Sequence, residues 1–259
     1  MPRNARVKSQ SGYYHIMLRG NERRNIFNDD DDKLRFLETL NEKKQDNRFN
    51  LQAFCLMDNH VHLMLSQRTE DIASVMKRIT VSYVFYYNKK YNRVGHLFQD
   101  RYRSEVVEQD SYVLALVRYI HQNPVKAGMV KSPSDYKWSS YNCYSDKGST
   151  VEKMIDTDLI LGLFSSDRAN AIELFKKYMN NEGEEKFIEM EENMVTDEDA
   201  KQLFENLLNQ YNIKKDSEIK AQLPDELINE FRKRTGFSIR KIAVITNQNK
   251  DRVNRAINS

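Results

Sequence analysis

Apolar positions along the first half of the chain come in two rhythms. Tyr13-Tyr14-His15-Ile16-Met17-Leu18 is a short dense run that closes on Arg19-Gly20-Asn21, and Leu51 to Met57 and His60 to Leu65 are two more, parted only by Asp58-Asn59. Runs of this length bounded by turn formers read as strands, and two of them joined by a turn dipeptide read as a hairpin. Gly20 is expected to permit a sharp turn after the first strand. Between these strands Leu34, Phe36, Leu37 and Leu40 recur at helical spacing behind the acids of Asn28 to Asp32, which suit a helix N-terminus better than a metal. A second helix opens at Asp71, with Ile72, Val75, Met76, Ile79 and Tyr83 as its core face. A short strand around Glu105 to Val107 leads to a third helix with Asp110 as N-cap. That helix is expected to stop near Asn123, because the residue before Pro124 avoids helical geometry.

Beyond residue 150 the pattern is helical. Ala171 to Met179 has helical spacing, and the acid-rich stretch Glu182 to Glu192 reads as a spacer that would repel phosphate. Pro224 to Phe231, Ser238 to Thr246 and Asp251 to Ile257 read as three further helices. Phe237-Ser238, Arg240, Ile242-Ala243, a break at Asn247 to Asn249, then Val253 and Arg255-Ala256 resemble a helix-turn-helix. Its last helix would offer Lys250, Arg252, Asn254 and Arg255 to a groove or to phosphates; a packed helical trio without a DNA role is the alternative.

Charge sharpens this division. Residues 1–150 hold 24 Lys and Arg against 17 Asp and Glu, residues 151–200 hold 5 against 14, and residues 201–259 hold 12 against 7, so that +7, −9 and +5 make the net +3. Two basic blocks are the electrostatic footprint of phosphate-backbone binding, with an acidic one between them. Three regions follow: a main domain over 1–148, an acidic helical linker over 149–200 and a small helical domain over 201–259.

With 39% apolar and 31% charged residues the sequence suits a globular protein. It contains no run of about 18 apolar residues that could span a membrane, and Met1 to Arg6 lack the apolar stretch of a secretory signal. Cys55 and Cys143 form no CxxC pair, so a disulfide-free protein of the cytoplasm, nucleoid-associated when bound to DNA, is expected; a single bridge between the two is the alternative.

The candidate chemistry lies on the hairpin. Side chains alternate along a strand, so His60 and His62 point one way while Val61, Leu63 and Leu65 point the other. Two imidazoles on one rigid face can be a hydrogen-bonded pair, or can chelate one borderline or transition-metal ion, which then polarises a phosphoryl oxygen. A third ligand must come from elsewhere. Tyr119 and Asn123, four apart on the third helix, share a face: a phenol is a nucleophile towards phosphorus, and an amide oxygen serves a divalent ion. Arg19, Arg23 and Arg24 cluster after the first strand, and Arg101 and Arg103 stand before the fourth, where guanidinium forks could grip phosphates. His15, beside two tyrosines, reads as a satisfied structural histidine.

Five blocks in order carry a resemblance: Tyr14 to Asn21, Met57 to His62, Gly95 to Tyr102, Arg118 to Gly128 and Trp138 to Tyr141. Over about residues 10 to 145 the chain resembles the REP-associated tyrosine transposases, relatives of the single-tyrosine transposases that act on single-stranded DNA through a His-hydrophobe-His motif. The resemblance implies an α+β fold, a ferredoxin-like antiparallel sheet flanked by helices, here followed by the small all-α C-terminal helix-turn-helix region. It implies that His60 and His62 hold a divalent metal, Mg or Mn, that Asn123 stands where relatives place the third ligand, and that Tyr119 is the nucleophile. The implied reaction is attack on a phosphodiester of hairpin-bearing single-stranded DNA, such as REP-like elements, through a 5'-phosphotyrosine and without ATP. His96 and His121 are not required. Whether the protein is a monomer or a homodimer stays open. The alternatives are a non-catalytic DNA-binding regulator that uses the C-terminal helices, and a structural zinc site built on Cys55 with His60 and His62.

Overall fold

The computed structural model describes residues 7–145, 152–181, 187, 197–211, 213, 223–235, 237 and 239–258, and the chain divides into two compact units, 1–188 and 189–259. In the first, β1 (Tyr13–Arg19), β2 (Phe49–Met57), β3 (His60–Gln67) and β4 (Arg103–Val107) form one antiparallel sheet in the order β2-β3-β1-β4. Helices α1 (Asp30–Lys44), α2 (Ile72–Lys90), α3 (Asp110–Lys126), α4 (Asp158–Gly162) and α5 (Arg168–Met179) complete the unit. This is the expected α+β arrangement of a four-stranded sheet with helices.

Register decides which side chains meet. Arg19 pairs with His60, Met17 with His62 and His15 with Met64 across β1 and β3, while β4 places Arg103 opposite Met17 and Glu105 opposite His15. Directly opposed residues share a face, so His15, Arg19, His60, His62, Arg103 and Glu105 all lie on one side of the sheet. The other side carries Tyr14, Ile16, Leu18, Val61, Leu63 and Leu65, all nearly fully buried in a core to which α1 adds Phe36, Leu37 and Leu40 and α2 adds Val75, Met76, Ile79 and Tyr83.

Leu34 is the exception in the expected α1 stripe. It is half exposed, and the buried positions run Lys33, Phe36, Leu37, Leu40 instead, because Lys33 reaches inward to Asp58 at 2.7 Å and so fastens the hairpin turn. The acid run is a cap: the Asp29 carboxylate accepts from the Asp32 amide at 3.0 Å, and Lys90 closes on Asp29 and Asp32 at 2.7 and 2.9 Å, tying the start of α1 to the end of α2.

Gly20 differs from expectation in its reason. Its backbone, at φ −62° and ψ 141°, is one any residue adopts, but a Cβ there would stand 1.9 Å from the Arg24 carbonyl oxygen. Space, not turn geometry, demands the glycine. Its amide donates to the Asn59 carbonyl at 2.9 Å, and the amides of Ile26 and Phe27 both reach the Asp58 carbonyl, so the loop after β1 is sewn to the hairpin turn chiefly by main chain, with the Asn59 side-chain amide adding a bond to the Arg23 carbonyl at 3.4 Å. On its other side Asn21 donates to Leu97 and Gln99 donates to Arg19, which is what the block around Gly95 to Tyr102 does structurally.

Two expectations for α3 are corrected. The helix begins at Asp110 itself, with Gln109 as N-cap and no side-chain cap bond. It also runs past Pro124 to Lys126. Proline in the final turn removes only the bond its own amide would give to Ile120, and Ala127 still donates to Asn123 at 3.0 Å, so the usual interruption is confined to the helix end. On β2, Leu56 donates to the Trp138 carbonyl and Ser140 to the Phe54 carbonyl, so the Trp138 to Tyr141 block edges the sheet.

Residues 152–181, expected within an acidic linker over 149–200, pack into the first unit instead. Ile160, Leu161, Ile172, Phe175 and Met179 are buried in its core, and Phe175 stacks on Tyr144 at 4.5 Å. The acid excess of the 151–200 block lies almost wholly beyond residue 181, so its overall charge hides this apolar stripe. Of the acid-rich stretch only Phe187 lies among the described residues. In the second unit α6 (Asp197–Gln210), α7 (Asp225–Thr235), α8 (Ile239–Ile245) and α9 (Lys250–Asn258) bury Phe204, Leu207, Leu227, Phe231, Ile242 and Val253 together. The expected boundary at 200 therefore cuts α6.

Replacing Gly20 by Ala is expected to destabilise the first unit by about 1–3 kcal/mol, the usual cost of overpacking a filled site. Leu34→Ala should stay within about 0.5 kcal/mol, as an exposed position does. Urea midpoints of the two variants check both.

Candidate active site

The hairpin and α3 bring the predicted residues together. The His60 and His62 rings lie 5.1 Å apart and nearly perpendicular, and the Tyr119 ring stands edge-on to His62 at 5.4 Å. Asn123, one turn along α3, hydrogen-bonds the His60 ring and gives its amide Nδ2 to the Tyr119 carbonyl at 3.0 Å. The Tyr-x-x-x-Asn spacing thus places nucleophile candidate and amide on the same side of the same helix, against the two imidazoles.

Each imidazole uses its Nδ1 within the protein. His60 Nδ1 meets the Asn59 side-chain oxygen at 2.6 Å, and His62 Nδ1 meets His15 Nε2 at 3.0 Å. That leaves Nε2 of His62 for a ligand, while the His60 ring also meets Asn123. Burial, reinforced by the Arg19 charge, holds the His60 imidazole down to about 4, against a partial opposing pull from Asn123. Burial holds His62 well below the ordinary 6.5, with His60, His15 and Arg19 pushing the same way. Neutral rings with a spare nitrogen, beside an amide, form a donor set that fits a divalent ion of the Mg or Mn kind less tightly than a borderline metal, but with the open positions that substrate oxygens need. Among the described residues no cluster of three His, Cys, Asp or Glu side chains stands ready to hold a metal. Cys55 faces His62 across the ladder, and burial pushes its thiol well up.

Of the predicted cations, Arg19 lies opposite His60 on the site face, and Arg103 lies on the same face at the edge strand, exposed. Arg101 is exposed just ahead of β4, and Arg23 sits half-buried in the loop that Gly20 anchors, in a left-handed conformation at φ 59°. In the second unit Lys250 and Arg255 are exposed on α9. Arg252 is turned inward: it donates to the Leu223 carbonyl at 2.6 Å and pairs with Asp225, so it fastens α9 rather than facing a groove.

Four neighbours of the site escape motif reasoning. Lys126 holds its ammonium 5.1 Å from the Tyr119 ring, a placement its i+7 spacing on α3 could have signalled. Phe187, from the stretch read as a spacer, packs 4.8 Å from Tyr119 and leaves that residue only 7% exposed. Glu105 and Tyr112 share a hydrogen bond of 2.5 Å beside His15. His121 belongs elsewhere: fully buried, its Nε2 bonds the Ser140 hydroxyl at 2.8 Å, so it is a structural residue.

Four buried imidazoles of lowered proton affinity, His15, His60, His62 and His121, set a direction for stability against pH. Above 6.5 neither state of the protein carries their protons; below it the unfolded chain takes them up while the folded His60 refuses until about 4. Stability should be level above about pH 7 and fall with acidification by about 1.4 kcal/mol per pH unit for each ring. Urea titrations at stepped pH check the slope, which His60→Asn should make shallower.

No curated protein matches the chain. A solved structure described as "Structure of the REP associates tyrosine transposase bound to a REP hairpin" is similar at 20% identity and a TM-score of 0.48, over 61% of this chain and 93% of that one. The family described as "Transposase IS200 like" matches residues 8–123, a span that runs from just ahead of β1 to Asn123 and so takes in both histidines and the tyrosine. Over that span the chain is similar to the IS200-like transposases.

Proposed function

We propose that the protein is a DNA nicking and strand-joining enzyme that acts on hairpin-bearing single-stranded DNA with Tyr119 as nucleophile. The observation that carries it is the convergence of Tyr119 and Asn123 on one turn of α3 with His60 and His62 on β3, inside the span that matches IS200-like transposases.

His60, His62 and Asn123 would hold the divalent ion, Mg or Mn. When bound, it supplies Lewis-acid stabilisation to a non-bridging phosphate oxygen. The chain's own residues do the rest. Arg19 and Arg103, on the site face, grip backbone phosphates and set the scissile one in line with the Tyr119 oxygen. The phenol oxygen forms its bond to phosphorus as the bond to the 3'-oxygen breaks; the phenol loses its proton and the leaving oxygen gains one. Lys126, over the Tyr119 ring, favours the phenolate as that proton departs. The resulting 5'-phosphotyrosine keeps the bond energy, so attack by another 3'-hydroxyl joins strands without ATP. The exposed Lys250 and Arg255 of α9 add a second DNA contact in the manner of a helix-turn-helix.

Tyr119→Phe is expected to abolish a denaturant-resistant protein–DNA adduct on labelled single-stranded hairpin oligonucleotides while leaving hairpin binding intact. Adduct formation by that variant would overturn the assignment of the nucleophile. The adduct should also require Mn or Mg and vanish with chelator. A Lys250→Ala/Arg255→Ala double variant should keep the nicking chemistry but bind DNA more weakly, with a shallower dependence on salt, as a filter-binding titration would read.

A further inference from the structure

His15 lies directly behind the site and the sequence gives it no task. Its ring is 2% exposed and close to parallel with His62, the centroids 5.3 Å apart. Its Nε2 meets His62 Nδ1 at 3.0 Å, and on its far side Nδ1 faces the Glu105 carboxylate at 3.5 Å. The other Glu105 oxygen accepts from the Tyr112 hydroxyl at 2.5 Å, which pins the carboxylate in place. The result is a continuous chain of Tyr112, Glu105, His15 and His62, converging on the Glu105 carboxylate, that enters the site from the fourth strand.

Direction follows from what each group can do. An ionised carboxylate only accepts, so the shared proton on this side of the ring belongs to His15 Nδ1. In the neutral ring Nε2 is then a lone pair, and the hydrogen in the His15–His62 contact must come from His62 Nδ1. That leaves His62 with an unprotonated Nε2. His60 reaches the same state by another route, since its Nδ1 gives its hydrogen to the Asn59 oxygen. Partners behind a ligating imidazole commonly fix its tautomer and orientation in this way.

We propose that His15 is a positioning residue: held by Glu105, it locks His62 in the Nδ1–H tautomer and so keeps the Nε2 lone pair turned out for a divalent metal. The inference rests on the metal-dependent reading of the site given above. It also assigns a role to Glu105, a half-buried acid on an edge strand that would otherwise only weaken the grip on DNA.

Two measurements test it. In metal-free protein with 15N-labelled histidines, long-range proton–nitrogen spectra at neutral pH should show His62 as the Nδ1–H tautomer; an Nε2–H pattern would overturn the proposal without recourse to any variant. Mn binding is then followed by electron paramagnetic resonance. His15→Phe should bind Mn about 10–100-fold more weakly than the parent, while its hairpin binding is unchanged. His15→Gln should recover most of that loss, because its amide oxygen can accept from His62 Nδ1 and its NH2 can donate to Glu105. Glu105→Ala should lose a smaller part. Parent-like Mn affinity in His15→Phe would overturn the proposal alone, whereas a parent protein that binds no Mn would overturn the metal-dependent reading itself.

Discussion

Much in the first unit depends on the register between β1 and β3. With Arg19 opposite His60 and Met17 opposite His62, one face of the sheet receives two imidazoles, a guanidinium and His15, and the other receives an unbroken layer of Tyr14, Ile16, Leu18, Val61, Leu63 and Leu65. A slip of one residue would send that apolar layer to the site and the charges into the core, so burial of the apolar face fixes the geometry of the polar one. The catalytic candidates are held in place by residues that never touch them.

Burial also sets the chemistry. Surrounded by core and by each other, the histidines are kept neutral, and a neutral imidazole with one nitrogen engaged has one lone pair to give. Arg19 pushes in the same direction and supplies positive charge where a phosphate would sit. Burial and charge, which often oppose each other at a phosphate site, here cooperate. Tyr119 shares this environment, its ring packed by His62 on one side and by Phe187 on another.

Much of this was legible in the sequence because it is periodic. Alternation put His60 and His62 on one face, and a four-residue step put Tyr119 and Asn123 on another; both statements need only local geometry, and the helix and the strand deliver them. What was not legible depends on pairings distant along the chain. His15 reads as a bystander until the register places it beside Met64 and behind His62, and Glu105 becomes its partner only across a second ladder. Arg252 looked available because helical spacing cannot say that a carbonyl at Leu223 and an acid at Asp225 await it. Composition misled over residues 152–181, which took the sign of the acids that follow residue 181, and a proline rule ended α3 a turn too soon. Leu34 shows the same limit in small: an apolar residue at the right spacing lost its place to Lys33, whose ammonium had the Asp58 carboxylate of the hairpin turn to reach.

The main-chain seam at Gly20 has a consequence for how this molecule can change. Asn21 and Glu22, its neighbours, are exposed and free to vary in side chain as far as their backbone allows, whereas position 20 has no room for a single methyl group. Because the seam joins the strand that bears Arg19 to the turn that precedes His60 chiefly through main-chain amides and carbonyls, no side-chain exchange elsewhere can replace those bonds. Two halves of the site are therefore inherited as one unit. Descendants of this sequence can repaint the loop around the glycine, but its absence of a side chain is the trait they must pass on.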